Sequence, residues 1–558
     1  MTPGITTAYY VKKMIDETAL KVLRKRYLAR DDEGNPLENP EDMFRRVADH
    51  VASAERTLDQ AQRRELADAY FQIMSDLEFL PNSPTLMNAG RELGQLSACF
   101  VLPVEDSLDS IFESVKETAR IHQSGGGTGF SFSKLRPAGD VVTSTMGAAS
   151  GPISFIRVFN MATEVIKQGG TRRGANMGIL RVDHPDIEEF VTVKNDPREL
   201  NNFNLSVAVT DAFIAACRED GPFSLVNPRN GREARKIRAL SLLDLIARSA
   251  WGSGEPGLVF LDTINRSNPT PHAGAIEATN PCGEQPLLPY ESCCLGSINL
   301  VKVLRGEAID WEKLERLVHL AVRFLDDVID ASRYPLPIIE NISKANRKIG
   351  LGVMGFAHML IGLGIPYDSE DAVKMAGGVM GFIEKESKIA SRELALHRGV
   401  FPNYRGSVWE KKGLPQRNAT TTTIAPTGTL SIIAGTSSGI EPLYDIEYTR
   451  IIFGGLSVHV VDPLYRKVKD SIDPSRLEHL FRKACDVSPD WHLAIQKAFQ
   501  GHVDNAVSKT INLPAHTSHE EIRSICLKAH AMGLKGITVF RDTSRDAQIL
   551  SCRTQQTC

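Results

Sequence analysis

Apolar residues recur at helical spacing among many charges over Tyr10 to Arg30 and again over Val51 to Leu80, with the turn-rich run Asp31-Asp32-Glu33-Gly34-Asn35-Pro36 between them. That spacing predicts amphipathic helices joined by a break, so residues 1–95 read as an N-terminal helical region. Beyond it, short apolar runs such as Cys99 to Val104 alternate with helical stretches, Ile111 to His122 and Ile153 to Lys167 among them. Such alternation predicts an α/β architecture, here over 96–545. Long helices are expected at Trp311 to Ala331 and at Asp371 to His397. The β-branched run Thr420-Thr421-Thr422-Thr423-Ile424 reads as a strand entering a loop. The longest charge-free apolar stretch, Ile349 to Ile365, contains five glycines and His358 and stops at Pro366. It is expected to be a buried core segment rather than a membrane helix. After Phe540-Arg541-Asp542 the pattern dissolves, and 546–558 is expected to be a flexible, cysteine-containing tail.

Composition narrows the class. A chain of 558 residues with 42% hydrophobic and 24% charged positions can bury a large core and is unlike a disordered or fibrous protein. The formal charge of -3 provides no global field for wrapping nucleic acid, so an anionic partner is expected to be small and held locally. Met1 to Ala8 shows no basic segment followed by an apolar one, which predicts a cytoplasmic protein. Nine cysteines is an odd count. Without an export signal they are expected to be mostly reduced thiols, those with a role being catalytic.

Candidate chemistry concentrates in a few segments. Asn280-Pro281-Cys282-Gly283-Glu284 places an amide, a thiol and a carboxylate within five residues. Were the stretch extended, the three side chains would share one side. Cys99 and Cys293 lie far away in sequence. Cys293 and Cys294 are neighbours, so on a strand only one of them faces a given side. Cys217, Cys485 and Cys526 sit in helical patterns and read as core. Ala425-Pro426-Thr427-Gly428-Thr429-Leu430-Ser431 follows the presumed strand and suits phosphate oxygens at a helix start, or an ordinary strand-to-helix turn. It lacks the lysine of a Walker loop. Gly125 to Gly129 follows a helical pattern, which favours close backbone packing beside a ligand over dinucleotide binding. Lys167-Gln168-Gly169-Gly170-Thr171-Arg172-Arg173-Gly174 is a basic loop, either phosphate-sensing or simply solvated. No paired Cys-x-x-Cys motif is present to suggest structural zinc, and no metal ligand is assigned.

In order along the chain, Leu80-Pro81-Asn82-Ser83-Pro84-Thr85, Ser97-Ala98-Cys99-Phe100, Asn280 to Glu284, Cys293-Cys294-Leu295-Gly296-Ser297-Ile298-Asn299-Leu300 and Ala425 to Ser431 closely resemble the catalytic chain of ribonucleotide reductases, in particular the adenosylcobalamin-dependent class II enzymes. The resemblance covers about Phe79 to Asp542. It implies a ten-stranded α/β barrel whose central finger loop presents Cys282, and reduction of ribonucleotides, with diphosphates expected, to 2'-deoxyribonucleotides. Cys282 would act as a thiyl radical on the ribose 3'-hydrogen, Glu284 would take the 3'-hydroxyl proton, and Asn280 would hydrogen-bond the sugar hydroxyls. Cys99 and Cys293 would supply protons and two electrons and end as a disulfide. Cys293 is preferred to Cys294 because it fills the family's Ser-Cys-x-Leu-Gly pattern.

The same resemblance implies substrate contacts from Ser83, Ala98, Cys99, Gly127, the Asn280-Pro281-Cys282-Gly283-Glu284 run, and Pro426, Thr427, Gly428, Thr429 and Leu430. It further implies deoxynucleoside triphosphate effectors at Asp106 and Arg136 with a relay loop beginning at Lys167 and Gln168, a homodimer, and thioredoxin or a similar dithiol as reductant. Cys552 and Cys558 are expected either to relay electrons as a dithiol or to be part of an incomplete shuttle. Too little sequence precedes the catalytic motifs for the family's ATP cone, so no shut-off through such a domain is expected. Reductases fed by a separate metal-radical subunit carry a tyrosine pair where this chain has Val539 and Phe540. The radical is therefore expected to come from adenosylcobalamin. The alternatives are a partner-subunit reductase and a non-enzymatic nucleotide sensor, and the second leaves Cys282 beside Glu284 unexplained.

Overall fold

The structure is a computed structural model that describes residues 15–143, 145–166, 174–452, 456–544 and 550–552. Three helices open the chain: α1 (Glu17–Arg26), α2 (Pro40–Ala52) and α3 (Gln60–Ser75). Each begins on a side-chain cap. Asp16 accepts from the N–H of Ala19, and Asn39 with Asp42, then Asp59 with Gln62, form capping boxes that satisfy otherwise orphaned N–H groups. The caps explain one departure from the periodicity. The apolar pattern of Val51 to Leu80 is broken after Ala52, because Asp59 starts a new helix. Leu23, Phe44, Val47 and Tyr70 bury one face of this region against the rest of the chain.

The strand β1 (Phe79–Pro81) leads from the helices into the sheet. The sheet continues with β2 (Cys99–Leu102), β3 (Gly127–Ser131), β4 (Asn176–Arg181), β5 (Phe203–Val209), β6 (Gly257–Phe260), β7 (Ser292–Asn299), β8 (Ile349–Met354), β9 (Thr510–Leu513) and β10 (Gly536–Arg541). Neighbours from β2 through β6 are parallel, as are β7 with β8 and β9 with β10. Antiparallel pairing joins β2 to β7 and β6 to β10. Parallel bridges Leu351–Thr422 and Ile424–Val507 carry the path from β8 through residues 420–424 to the segment entering β9. The hydrogen-bonded path therefore returns to its start as two parallel halves set antiparallel to each other. The threonine run expected as a strand supplies the link.

Alternation along these strands separates two environments. One face buries Cys99, Val101, Met177, Ile179, Ala208, Val259, Cys293 and Leu295 together with Ile276, Ala278, Leu287 and Leu288. Their strand neighbours, such as Phe100, Leu180, Val207, Leu258 and Cys294, face outward into the helix-packed cores. Outside lie the two long helices that the sequence predicts, α4 (Trp311–Ala331) and α5 (Glu370–Arg398). The glycine-rich run at 349–365 is divided between β8 and the buried helix Phe356–Gly362. Among the described residues no helix is long and apolar enough to cross a membrane. From the tail expected at 546–558, Leu550–Cys552 form a strand antiparallel to Glu447–Ile452. Cys558 lies outside the described residues.

Candidate active site

Residues 278–287 form a hairpin on the inner face of the sheet, with Ala278–Thr279 paired to Pro286–Leu287. Its tip is not extended. The Gly283 N–H donates to the Asn280 carbonyl (3.1 Å), closing a turn with Pro281 at its second position, and Gly283 takes φ +81°, which suits a residue without Cβ. The turn replaces the side-sharing expected of Asn280, Cys282 and Glu284. Cys282 projects exposed from the tip, whereas Asn280 and Glu284 are buried on either side.

Both halves of the sheet hold this finger. A Cβ at Gly129 of β3 would lie 1.7 Å from the Thr279 carbonyl oxygen, and one at Gly127 would lie 3.0 Å from the Pro281 ring. Asn204 of β5 donates to the Pro281 carbonyl (2.8 Å). From the opposite half, the Ala506 N–H (2.9 Å) and the Thr423 hydroxyl (3.0 Å) donate to the Glu284 carbonyl. Within 125–129, which the sequence read as close packing beside a ligand, Gly129 admits the finger backbone and Gly127 the Pro281 ring, whereas a Cβ at Gly126 would meet Phe100 and Ile121 and one at Gly125 nothing within 4 Å.

The thiols converge beside it. Cys99 and Cys293 are direct register partners across β2 and β7, which places their side chains on one face. The Asn280 amide donates to the Cys99 sulfur (3.1 Å), and the Cys99 thiol approaches Glu284 Oε1 (4.0 Å). Cys293 is buried on this inner face, while Cys294 turns outward to Ser97 (3.5 Å). Burial holds the Cys293 thiol well above its ordinary value and raises Cys294 to about 12. Both stay protonated at neutral pH.

The Ala98 N–H donates to the Cys293 carbonyl and the Gly127 N–H to the Ala98 carbonyl, so these backbones border the thiols. Ser83, bonded to the Tyr27 hydroxyl (2.8 Å), follows Asn82, whose amide donates to the Leu295 carbonyl of β7. Pro426 to Leu430 form the turn before the short helix Leu430–Ala434; Thr427 has φ +52° and its hydroxyl accepts from the Gly439 N–H (2.7 Å). Asp106 and Arg136 pair with each other (2.8 Å) outside this inner face. Lys167 and Gln168 lie outside the described residues. Cys217 and Cys526 are buried in helices as read, but Cys485 occupies a half-buried turn, because its helix begins only at Pro489. Sequence reasoning missed two buried charged groups near Cys293, Glu291 and Lys348, since nothing local marks an ion pair formed across strands.

On β10, Val539 packs into the outer core and Phe540 is half-buried; neither carries a phenol. Among the described residues one cluster has metal-ligand spacing, Glu315, His319 and Glu386 on α4 and α5. Lys385 already pairs with Glu386 there.

The family model "Ribonucleotide reductase, all-alpha domain" matches residues 13–94, and "Ribonucleotide reductase, barrel domain" matches 97–416 and 410–540. A vitamin B12-dependent ribonucleoside-diphosphate reductase of Mycobacterium tuberculosis is 49% identical over 96% of this chain and 80% of its own length. One from Thermoplasma acidophilum is 46% identical over 97% of this chain and 80% of its own. The ribonucleoside-diphosphate reductase subunit alpha of Chlamydia muridarum is 28% identical over 94% of this chain and 57% of its own.

Proposed function

The chain belongs to the ribonucleotide reductase family, and from that premise we propose that Cys282, Glu284, Asn280, Cys99 and Cys293 carry the reduction of ribonucleoside diphosphates to 2'-deoxyribonucleotides in a vitamin B12-dependent reaction. The observation that carries the assignment is the position of Cys99, beside Cys293 and in contact with residues on both sides of Cys282.

The residues present suit adenosylcobalamin. Cys282 is exposed at the tip, a Cβ at Gly283 would meet nothing within 4 Å, and β10 lacks a phenol for a relay from another subunit. The cofactor would lie against Cys282 and Gly283. When bound, it supplies a carbon radical by homolysis of its cobalt–carbon bond.

Cys282, as a thiyl radical, takes the 3'-hydrogen of the ribose. Glu284 accepts the 3'-hydroxyl proton, and Asn280 holds the sugar hydroxyls from the opposite side of the tip. A thiol of the Cys99–Cys293 pair protonates the departing 2'-hydroxyl, which leaves as water. The other thiol's hydrogen goes to C2', the pair having given up two electrons in all and joined as a disulfide, Glu284 returns its proton to the 3'-oxygen, and the 3'-hydrogen returns from Cys282. Ser83, Ala98 and Gly127 border the substrate, and backbone groups of Pro426 to Leu430 bind its phosphates. A deoxynucleoside triphosphate effector binds near Asp106 and Arg136 and biases the loop containing Lys167 and Gln168, in a homodimer. Cys552 and Cys558 pass electrons from thioredoxin or a similar dithiol.

Purified chain supplied with CDP, a dithiol and adenosylcobalamin is expected to form dCDP, and its Cys282→Ser variant none. Because Cys282 is an exposed tip residue, the variant keeps its fold by circular dichroism. Undiminished dCDP formation by a folded variant would eliminate the radical role. Formation of dCDP without cobalamin, after addition of a metal-radical subunit, would instead favour the partner-subunit reading.

A further inference from the structure

Part of the inner face of the sheet is not used by the thiols. Phe203, Leu205 and Val207 of β5, Leu258 of β6, and Ile537 and Val539 of β10 face the outer core. The residues that alternate with them, Asn204, Ser206, Gly257, Thr538 and Phe540, therefore face the barrel interior. Ser206 and Gly257 are register partners, and a Cβ at Gly257 would lie 3.2 Å from the Ser206 hydroxyl and 3.6 Å from the Thr538 hydroxyl. Gly257 thus keeps a cradle open between two hydroxyls. Nearer the rim, Asn512 of β9 is in register with Phe540 and alternates with the outer-core residues Ile511 and Leu513, so it faces the same way. Asn204 and Thr538 are exposed, and Gly257, Phe540 and Asn512 are half-buried. Accessible side chains on the inward side of a sheet line a chamber. Further in, Ala208 and Val259 are buried and apolar and close it.

The finger separates this chamber from the thiols. Its backbone is held by Asn204 of β5 on one side and by Thr423 and Ala506, ahead of β9, on the other. β2, β7 and β8, with Cys99 and Cys293, therefore lie to one side of it, and β6 and β10 to the other. Asn204 donates from the chamber's rim to the Pro281 carbonyl (2.8 Å), one residue before the exposed Cys282. The chamber thus adjoins the finger tip without sharing the space of the thiols. The side chains of Ser206, Thr538 and Asn512 have no hydrogen-bond partner among the described residues. Two hydroxyls and an amide converging on a concave surface suit a small ligand rich in donors and acceptors.

We propose that this chamber binds the 5'-deoxyadenosyl group of adenosylcobalamin, with Ser206, Thr538 and Asn512 as its hydrogen-bonding residues. The inference rests on the reading that the cofactor acts on Cys282. A group that exchanges a hydrogen with Cys282 must reach the sulfur without taking the place of the ribose, and the ribose occupies the thiol side of the finger. The opposite side is the one left. There the sugar hydroxyls and base nitrogens of a nucleoside meet the hydroxyls of Ser206 and Thr538 and the Asn512 amide, and Gly257 admits close approach of a flat ring.

The test reads binding rather than turnover. Equilibrium dialysis in the dark compares adenosylcobalamin with methylcobalamin, which lacks the 5'-deoxyadenosyl group. The parent is expected to bind adenosylcobalamin the more tightly. In Ser206→Ala/Thr538→Val its affinity for adenosylcobalamin is expected to fall about thirtyfold, two neutral hydrogen bonds at roughly fivefold each, with methylcobalamin held within about twofold. Both substitutions are close in size to the parent residues, and valine suits a strand, so circular dichroism should be unchanged. Thr538→Leu, which fills the chamber from an exposed position, is expected to weaken adenosylcobalamin and spare methylcobalamin in the same way. Unchanged affinity for adenosylcobalamin in these variants, or equal losses for the two cobalamins, would overturn the proposal. Undiminished dCDP formation by folded Cys282→Ser would instead remove the reading on which the inference rests, whatever the dialysis shows.

Discussion

At the scale of single residues, a strand's two-sidedness decides which of two adjacent thiols faces the finger. Cys293 lies on the inner face with Cys99, and Cys294 lies in the outer core against Ser97. Cys294→Ser replaces a buried sulfur with a hydroxyl that keeps a polar neighbour, so a cost of about 1 kcal/mol and near-parental turnover are expected. Cys293→Ser is expected to abolish repeated turnover at similar stability. Urea titration and a steady-state assay of both variants check this; comparable activity loss in the two would refute the assignment by face. Sequence spacing established that only one neighbour could face the finger, and family resemblance favoured Cys293, but the side itself required the pairing with Cys99. Lys348 was illegible for a different reason. A lysine before an apolar run reads as a solvated strand end until a carboxylate from another strand is seen to close over it.

Among elements, the finger depends on glycines that admit backbone. At Gly129 the distance a Cβ would have to the Thr279 carbonyl oxygen, 1.7 Å, is far inside contact, and that neighbour is main chain on a hairpin held from both sides. Gly129→Ala is therefore expected to displace Thr279 and with it Asn280 and Cys282, lowering turnover at least about a hundredfold, since misplacement by about 1 Å costs that much. The denaturation midpoint should fall as well. Parental activity would show that the finger does not need this approach. The sequence made the glycine cluster and the finger visible separately, and only the topology joins them. It also suggested an extended tip, because an Asn-Pro-Cys run reads as strand; the closing hydrogen bond from Gly283 to Asn280 makes it a turn and leaves the thiol outermost. The threonine run at 420–424 was read as a strand, but it forms only isolated bridges, Thr422 to Leu351 of β8 and Ile424 to Val507, and that linking place was not legible because bridging is a long-range property.

Over the whole molecule, buried charge joins parts distant in sequence. Glu55, following α2, binds Arg323 of α4 and Arg398 of α5, and Tyr70 of α3 donates to Asp327 of α4 (2.6 Å), so the helical region is docked on the barrel's outer helices by polar as well as apolar contacts. Nearer the finger, Lys535 donates to the carbonyls of Asp504 and Asn505 (2.6 Å each), just before the Ala506 N–H that holds Glu284. Asp504 itself pairs with Lys388, so Lys535 has carbonyls rather than a carboxylate as its partners, and burial brings it down to about 8. Between about pH 8 and its ordinary 10.5, the unfolded chain holds a proton that the folded chain has released. Stability attributable to this residue must therefore rise with pH across that window, the ionised ammonium being a cost below it. Titrations common to parent and Lys535→Met cancel in their difference. Urea midpoints at pH 7.5, 8.5 and 9.5 are expected to show the parent gaining on the variant at each step, while a difference independent of pH would mean that Lys535 titrates as it does in water and that the anchor behind Glu284 is not the buried cation described here.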